Sequence, residues 1–122
     1  MPAASSLPSQ PAARRRPLIE LLTVAGCPNR DAALALIERI RAQLASTAQV
    51  QVIEVPDQPA AEQLRFLGSP TIRVNGHDIE PGAEHQPEYV HACRLYQGPH
   101  SLRGLPEADW LRQALRTAAR DP

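Results

Sequence analysis

The sequence contains little aromatic material, with one tryptophan, two tyrosines and one phenylalanine among 122 residues. Aromatic side chains build the stacking platforms that bind single-stranded nucleic acid and the anchors of large protein interfaces. The 13 basic residues are matched by 13 acidic ones, so no net charge attracts nucleic acid or an anionic membrane. No apolar run approaches the roughly 20 residues of a membrane span. We therefore expect no nucleic-acid partner and no membrane partner.

Cysteine is also scarce, because only Cys27 and Cys93 occur. Two cysteines are too few for the disulfide scaffold of a small secreted domain, so each thiol is left to be inert, redox-active or metal-binding. The basic run "RRR" is followed by "PLIELLTVAG", which does not resemble a secretory signal. The sequence therefore predicts a cytoplasmic protein.

The length is that of one domain, and its first part differs in composition from the rest. Residues 1–17, "MPAASSLPSQPAARRRP", are rich in proline, alanine and serine and lack any apolar periodicity. Such a segment buries too little surface to offset the entropy of ordering. We predict a disordered tail over 1–17 and a folded domain over 18–122.

Alternating strand and helix patterns follow the tail. Residues 18–24, "LIELLTV", are nearly all apolar, as in a central strand covered on both faces. The next segment has the threefold and fourfold spacing of a helix, and "VQVIEV" at 50–55 is a second strand. Residues 57–68 indicate a short helix, capped by Asp57 and closed by Gly68. The apolar stripe predicted for the first helix comprises Ala33, Leu34, Ile37, Ile40 and Leu44.

The strongest local signal is the pair Asn75-Gly76 between "PTIRV" and "HDIE", which predicts a β-hairpin. Residues 105–120 have a proline near their start and one apolar face, and they predict a final amphipathic helix. The predicted order is β-α-β-α-β-β-α, an α/β fold whose mixed sheet is flanked by helices. Residues 81–104 are an insertion before the last helix. The apolar face of that helix holds Trp110, Leu111, Ala114, Leu115 and Ala118.

Cys27 stands where the first strand meets the first helix. Because Pro28 suits the first helical position, we expect Cys27 at the N-cap, where unpaired N–H groups and the helix dipole favour a thiolate. Arg30 adds a favourable charge and Asp31 opposes it. A buried, inert cysteine is the alternative.

This order, with a cysteine at the first strand–helix junction, resembles the thioredoxin fold over about 18–80 and 105–120. In that family a proline before the third strand is cis and faces the active cysteine, and Pro70 of "GSPT" stands at that place. The resemblance implies that the backbone of Ser69 offers hydrogen bonds to an extended peptide or a small thiol. The sequence departs from the family at "CPNR", where Arg30 replaces the second cysteine of the motif.

A dithiol mechanism within that motif is therefore impossible, which leaves an external thiol or Cys93 as the resolving group. Cys93 lies in "YVHACRLY", whose alternation places Tyr89, His91, Cys93 and Leu95 on one side. Cys93 is either a small buried side chain or a partner of Cys27 in a reversible disulfide or a soft-metal clamp. The scattered histidines match no metal motif, and we expect no resident metal or other cofactor.

A closer resemblance lies in "RFLGSPTIRVNGHDIEPGAEH", "CRLY" and "GLPEADWLRQAL", which are similar to small bacterial proteins labelled thioredoxin-like or alkylmercury lyase. Cleavage of a carbon–mercury bond needs two thiolates and an acid. Cys27 and Cys93 are candidates for the thiolates, and Asp31 or Asp78 for the acid. After the Asn-Gly turn, however, Asp78 is expected to be an exposed carboxylate.

Three functions remain open from the sequence. The first is thiol-disulfide exchange through Cys27, resolved by Cys93 or by an external thiol. The second is mercury binding or organomercurial lyase activity that uses both cysteines. The third is a non-enzymatic interaction domain with incidental thiols. For the first function the candidate catalytic residues are Cys27 and Cys93, and the candidate binding residues are Pro28, Arg30, Ser69 and Pro70.

Overall fold

The computed structural model describes residues 16–98 and 102–120, which form a mixed α/β fold with a four-stranded sheet. The three helices are α1 (Arg30–Gln43), α2 (Gln58–Gln63) and α3 (Ala108–Arg120). The sheet contains β1 (Leu18–Thr23), β2 (Gln49–Glu54), β3 (Thr71–Val74) and β4 (His77–Asp78). The predicted order of elements is present, and two further short strands, β5 (Tyr96–Gln97) and β6 (Leu102–Arg103), precede α3.

The sheet order is β2-β1-β3-β4, so β1 is central as its apolar sequence predicts. β1 and β2 are parallel, with Leu21 opposite Val52. β3 runs antiparallel to β1, and β4 antiparallel to β3. Parallel neighbours need a crossover connection, which α1 supplies between β1 and β2.

Helices cover both faces of the sheet. One face packs against α1 and α3, and alternate residues of β1, Ile19 and Leu21, point into this core. Leu22 points to the other face, where it packs beside α2 with Val55 and Phe66. The buried residues of α1 are Ala33, Leu36, Ile37 and Ile40, whereas the predicted Leu34 and Leu44 are only partly buried against the core. Burial on both faces therefore fixes the strand order around β1.

The second helix begins as predicted but ends early. The carboxylate of Asp57 accepts a hydrogen bond from the Ala60 N–H at 2.9 Å, which makes Asp57 the N-cap. The predicted end at Gly68 is wrong, because α2 stops at Gln63. Arg65 adopts a left-handed φ of 54°, and the Phe66 N–H bonds back to the Ala61 carbonyl, as in a Schellman ending.

The predicted hairpin is confirmed. Asn75 and Gly76 have φ values of 51° and 86°, the two positive angles of a type I′ turn. The Asn75 side chain also accepts a hydrogen bond from the Leu18 N–H at 2.9 Å, which ties the turn to β1. β4 is shorter than the predicted "HDIE", since it contains only His77 and Asp78.

Other predictions differ from the structure at the ends of segments. The final helix starts at Ala108 and not at residue 105, with Leu111 and Leu115 buried. Most of the predicted tail lies outside the described residues. Within its last two residues, Arg16 donates to the Thr47 carbonyl and the Pro17 carbonyl accepts from the Gln49 N–H. No helix in the described part of the chain is long and apolar enough to cross a membrane.

Replacing Asp57 by alanine is expected to destabilise the fold by about 1 kcal/mol, because the first turn of α2 then loses its side-chain acceptor. Urea unfolding followed by circular dichroism measures the change. Asp57→Asn is the matched control, since asparagine is an equally good N-cap and keeps the acceptor oxygen. Equal losses in both variants would contradict a capping role.

Candidate functional site

Cys27 lies in a loop of two successive turns between β1 and α1. Its N–H donates to the Val24 carbonyl at 3.2 Å, and its own carbonyl accepts from the Arg30 N–H at 3.3 Å. The predicted N-cap position is wrong, because the N-cap of α1 is Asn29 and the helix begins at Arg30. Pro28 is in the turn and not in the helix. The thiol is free and half-buried, so Cys27 is not the fully buried cysteine of the inert alternative.

Ser69 joins three parts of the chain beside this loop. Its hydroxyl accepts a hydrogen bond from the Val24 N–H at 3.1 Å, which connects it to the end of β1. Its N–H donates to the Ala92 carbonyl at 2.8 Å, and its carbonyl accepts from the Arg94 N–H at 2.9 Å. The following peptide bond, Ser69–Pro70, is cis, the geometry expected at this place. Every main-chain hydrogen-bonding group of Ser69 is therefore used within the chain.

Cys93 pairs directly with Ser69 in an isolated parallel bridge. Residues paired across a ladder present their side chains on the same face. The Cys93 side chain therefore lies on the same face as the Ser69 hydroxyl, which accepts a hydrogen bond from the Val24 N–H. Cys93 is a free and exposed thiol, so the alternative of a small buried side chain is wrong. Ser69 is thus bonded to Val24, at the start of the loop that contains Cys27, and is paired with Cys93 through the bridge.

The next residue, Arg94, anchors the Cys93 segment. Its side chain is 4% exposed, and its guanidinium donates to Asp78 at 2.8 Å and to Glu80 at 2.7 Å. A further hydrogen bond, of 2.9 Å, joins the guanidinium to the hydroxyl of the buried Thr71. Buried charges are stable only when paired and hydrogen-bonded, and this guanidinium meets both conditions.

Tyr96 completes the anchor. The Arg94 guanidinium lies 4.2 Å from the centre of the Tyr96 ring, a cation–π distance. The Tyr96 hydroxyl donates to the Pro70 carbonyl. Burial raises the pKa of this phenol well above its usual range, so it stays a neutral donor. Tyr96 therefore bonds to the residue that follows Ser69.

The two candidate acids, Asp78 and Asp31, differ in their exposure to solvent. Asp78 was expected to be exposed after the hairpin turn, but its side chain is only 12% exposed. Both of its carboxylate oxygens accept hydrogen bonds from Arg94. The Asp31 side chain is 94% exposed and pairs with Arg30. Neither carboxylate is joined to either cysteine by a hydrogen bond found in the structure.

The histidines, cysteines and acidic residues of the described segments form no metal-binding cluster. Among the described residues, no group of three or more histidine, cysteine, aspartate or glutamate side chains could hold a metal ion. His91 bonds instead to the Val55 carbonyl at 2.9 Å, and His85 lies near Glu84. His100 lies outside the described residues. A cleft of about 630 Å³ lies beside β4, and neither cysteine is among the described residues that line it.

Arg94 and Tyr96 are the site residues that the sequence analysis missed. The alternation of "HACRLY" gave the signal, because it placed Arg94 and Tyr96 on the face opposite Cys93. An aromatic residue on that face indicates burial. An arginine beside it then needs acidic partners, and Asp78 and Glu80 are the acids that follow the hairpin turn.

Replacing Arg94 by methionine is expected to lower the free energy of unfolding by about 3–5 kcal/mol, because two largely buried carboxylates then lose their partner. Urea unfolding of both proteins measures the loss. The control is Arg30→Met, which breaks the pair with Asp31, whose two side chains are 45% and 94% exposed. The control should cost less than about 1 kcal/mol. Equal losses would show that Arg94 is not the anchor.

Comparison with known proteins assigns no family to the chain. No protein-family model matches it, and no curated protein is significantly similar to it.

Proposed function

We propose that the protein is a thiol-disulfide exchange protein of thioredoxin-like fold, in which Cys27 and Cys93 form a reversible disulfide. The observation that carries this proposal is the bridge between Cys93 and Ser69, whose hydroxyl holds the loop of Cys27 through Val24. Ser69 connects the loop that contains Cys27 with the segment that contains Cys93, and one half-buried and one exposed cysteine are suited to an exchange that needs both.

The sheet order β2-β1-β3-β4 supports the fold assignment, since only β1 and β2 are parallel and β3 and β4 form the hairpin. α1 and α3 pack on one face and α2 on the other. The two cysteines of the chain are both free thiols, as is typical of the reducing cytoplasm, where we propose that the protein works.

In the proposed reaction Cys27 attacks one sulfur of an acceptor disulfide. A bond forms between the Cys27 Sγ and that sulfur, and the other sulfur leaves as a thiolate that takes up a proton. Cys93 then attacks the Cys27 Sγ, which forms the internal disulfide and releases the second thiol. The acceptor is reduced by two electrons, and the two cysteines are oxidised by two.

Equilibration of the protein across a series of glutathione redox buffers is expected to produce an internal disulfide. Intact mass after alkylation distinguishes this species, because it has lost two hydrogens and has no alkylated thiol. Cys27→Ser and Cys93→Ser should each abolish it, and each remaining thiol should then carry a glutathione adduct. An adduct on Cys27 alone in the wild type would favour the external-thiol route. Two unreactive thiols at every potential would favour the interaction-domain alternative.

Binding of a soft metal ion is a second candidate, because it needs the same two thiolates. Titration of the reduced protein with Hg(II) is expected to give one tightly bound ion per chain, and either cysteine-to-serine variant should weaken the binding. The lyase reaction has less support, since Asp78 is engaged by Arg94 and Asp31 is exposed to solvent. The lyase reaction would be restored as a candidate if the wild type released a hydrocarbon from an organomercurial and the Asp31→Asn variant did not.

A further inference from the structure

The segment 90–96 runs beside the segment 66–70 and bonds to it at four points. The Val90 N–H donates to the Phe66 carbonyl at 2.9 Å, before the two bonds that Ser69 makes with Ala92 and Arg94. The Tyr96 hydroxyl then reaches the Pro70 carbonyl. These bonds resemble those of a short strand added to the edge of a sheet, although both segments belong to the same chain.

The two segments are in close contact at Gly68, where a side chain would not fit. Gly68 has a φ of 119°, a backbone conformation that residues with a side chain rarely adopt. A Cβ atom built there would lie 2.8 Å from the Arg94 Cβ and 3.3 Å from the Ala92 carbonyl oxygen. The backbone of the segment 90–96 therefore lies directly against the backbone of Gly68.

The edge that is filled in this way is the one next to the Cys27 loop. An extended peptide binds to an exposed edge through main-chain N–H and C=O groups, and these bonds supply much of its affinity. At Ser69 both groups are already satisfied. A peptide could pair there only after the segment 90–96 had left, and its departure would expose the buried Arg94 and its two carboxylates.

We infer that the segment 90–96 is an internal strand that occupies this edge, so that Cys27 exchanges with small disulfides and not with disulfides in extended peptides. The inference rests on the proposed function and names its substrate class. Cys93 belongs to this segment and is paired with Ser69. A small disulfide needs no main-chain pairing, so the filled edge does not prevent its reaction with Cys27.

Two mixed disulfides with the same coloured leaving group, thionitrobenzoate, test this substrate class. One carries N-acetylcysteine amide, and the other carries a ten-residue peptide of extended sequence with a single cysteine. Absorbance of the released thiol gives both rates for the wild type, and Cys27→Ser is the control for reaction at Cys93. We expect the peptide to react no faster than the small compound. An open edge would accelerate the peptide by about tenfold or more, since a few main-chain hydrogen bonds supply at least ~1.4 kcal/mol.

The outcomes separate this inference from the proposed function. A peptide that reacts about tenfold faster than the small compound would overturn the inference alone. No reaction of Cys27 with either compound would overturn the proposed function, and the substrate class with it. Arg94→Lys keeps the charge but loses the forked geometry, and it should raise the peptide rate relative to the small-compound rate.

Amide hydrogen exchange measured by NMR tests the internal strand without any thiol chemistry. The Ser69 and Arg94 N–H groups should exchange about 100-fold or more slowly than in an unstructured chain, in the wild type and in Cys27→Ser alike. Exchange at the unstructured rate in the wild type would overturn the inference whatever the thiols do.

Discussion

A buried guanidinium needs its full set of partners, and Arg94 has them on three elements of the chain. Asp78 belongs to β4, Thr71 to β3, and Glu80 to the segment after the hairpin. Because desolvating an unpaired charge costs several kcal/mol, these contacts hold the segment that follows β4 against the sheet. The position of Cys93, one residue earlier, is a consequence of that pairing.

Ser69 performs the complementary task at the other end of the site. A serine that is 1% exposed must satisfy its hydroxyl, its N–H and its carbonyl, and it does so with Val24, Ala92 and Arg94. The loop of Cys27 and the segment of Cys93 are thereby linked through one buried residue. This link through Ser69, more than the properties of either thiol, supports a function in thiol-disulfide exchange.

The strands and helices were predictable where local chemistry decides them. The Asn75-Gly76 turn and the cap at Asp57 each have a specific side-chain or φ requirement, and both were found where predicted. The ends of helices were less predictable, because α2 is closed by Arg65 in a conformation that nothing in its identity favours. Likewise, the proline at 28 predicted an earlier start to α1 than Asn29 allows.

The candidate site was predictable only as separate residues. Cys27 and Cys93 were identified from their local sequence, and Ser69 and Pro70 from the resemblance to the thioredoxin fold. The bridge between Ser69 and Cys93, however, spans 24 residues and has no local signature. The prediction that the Asp78 carboxylate is exposed was wrong for the same reason, since its partner, Arg94, lies 16 residues away. Long-range pairing of this kind is decided by the packing of the whole domain.

The strand beside Ser69 is part of the same molecule, and this changes how the contact depends on conditions. A bound peptide dissociates when it is diluted, whereas a covalently attached segment keeps an effective concentration on the order of millimolar. Occupancy of the edge is therefore independent of the amount of protein present. A separate peptide can compete at this edge only when its own concentration is comparable to the effective concentration of the attached segment.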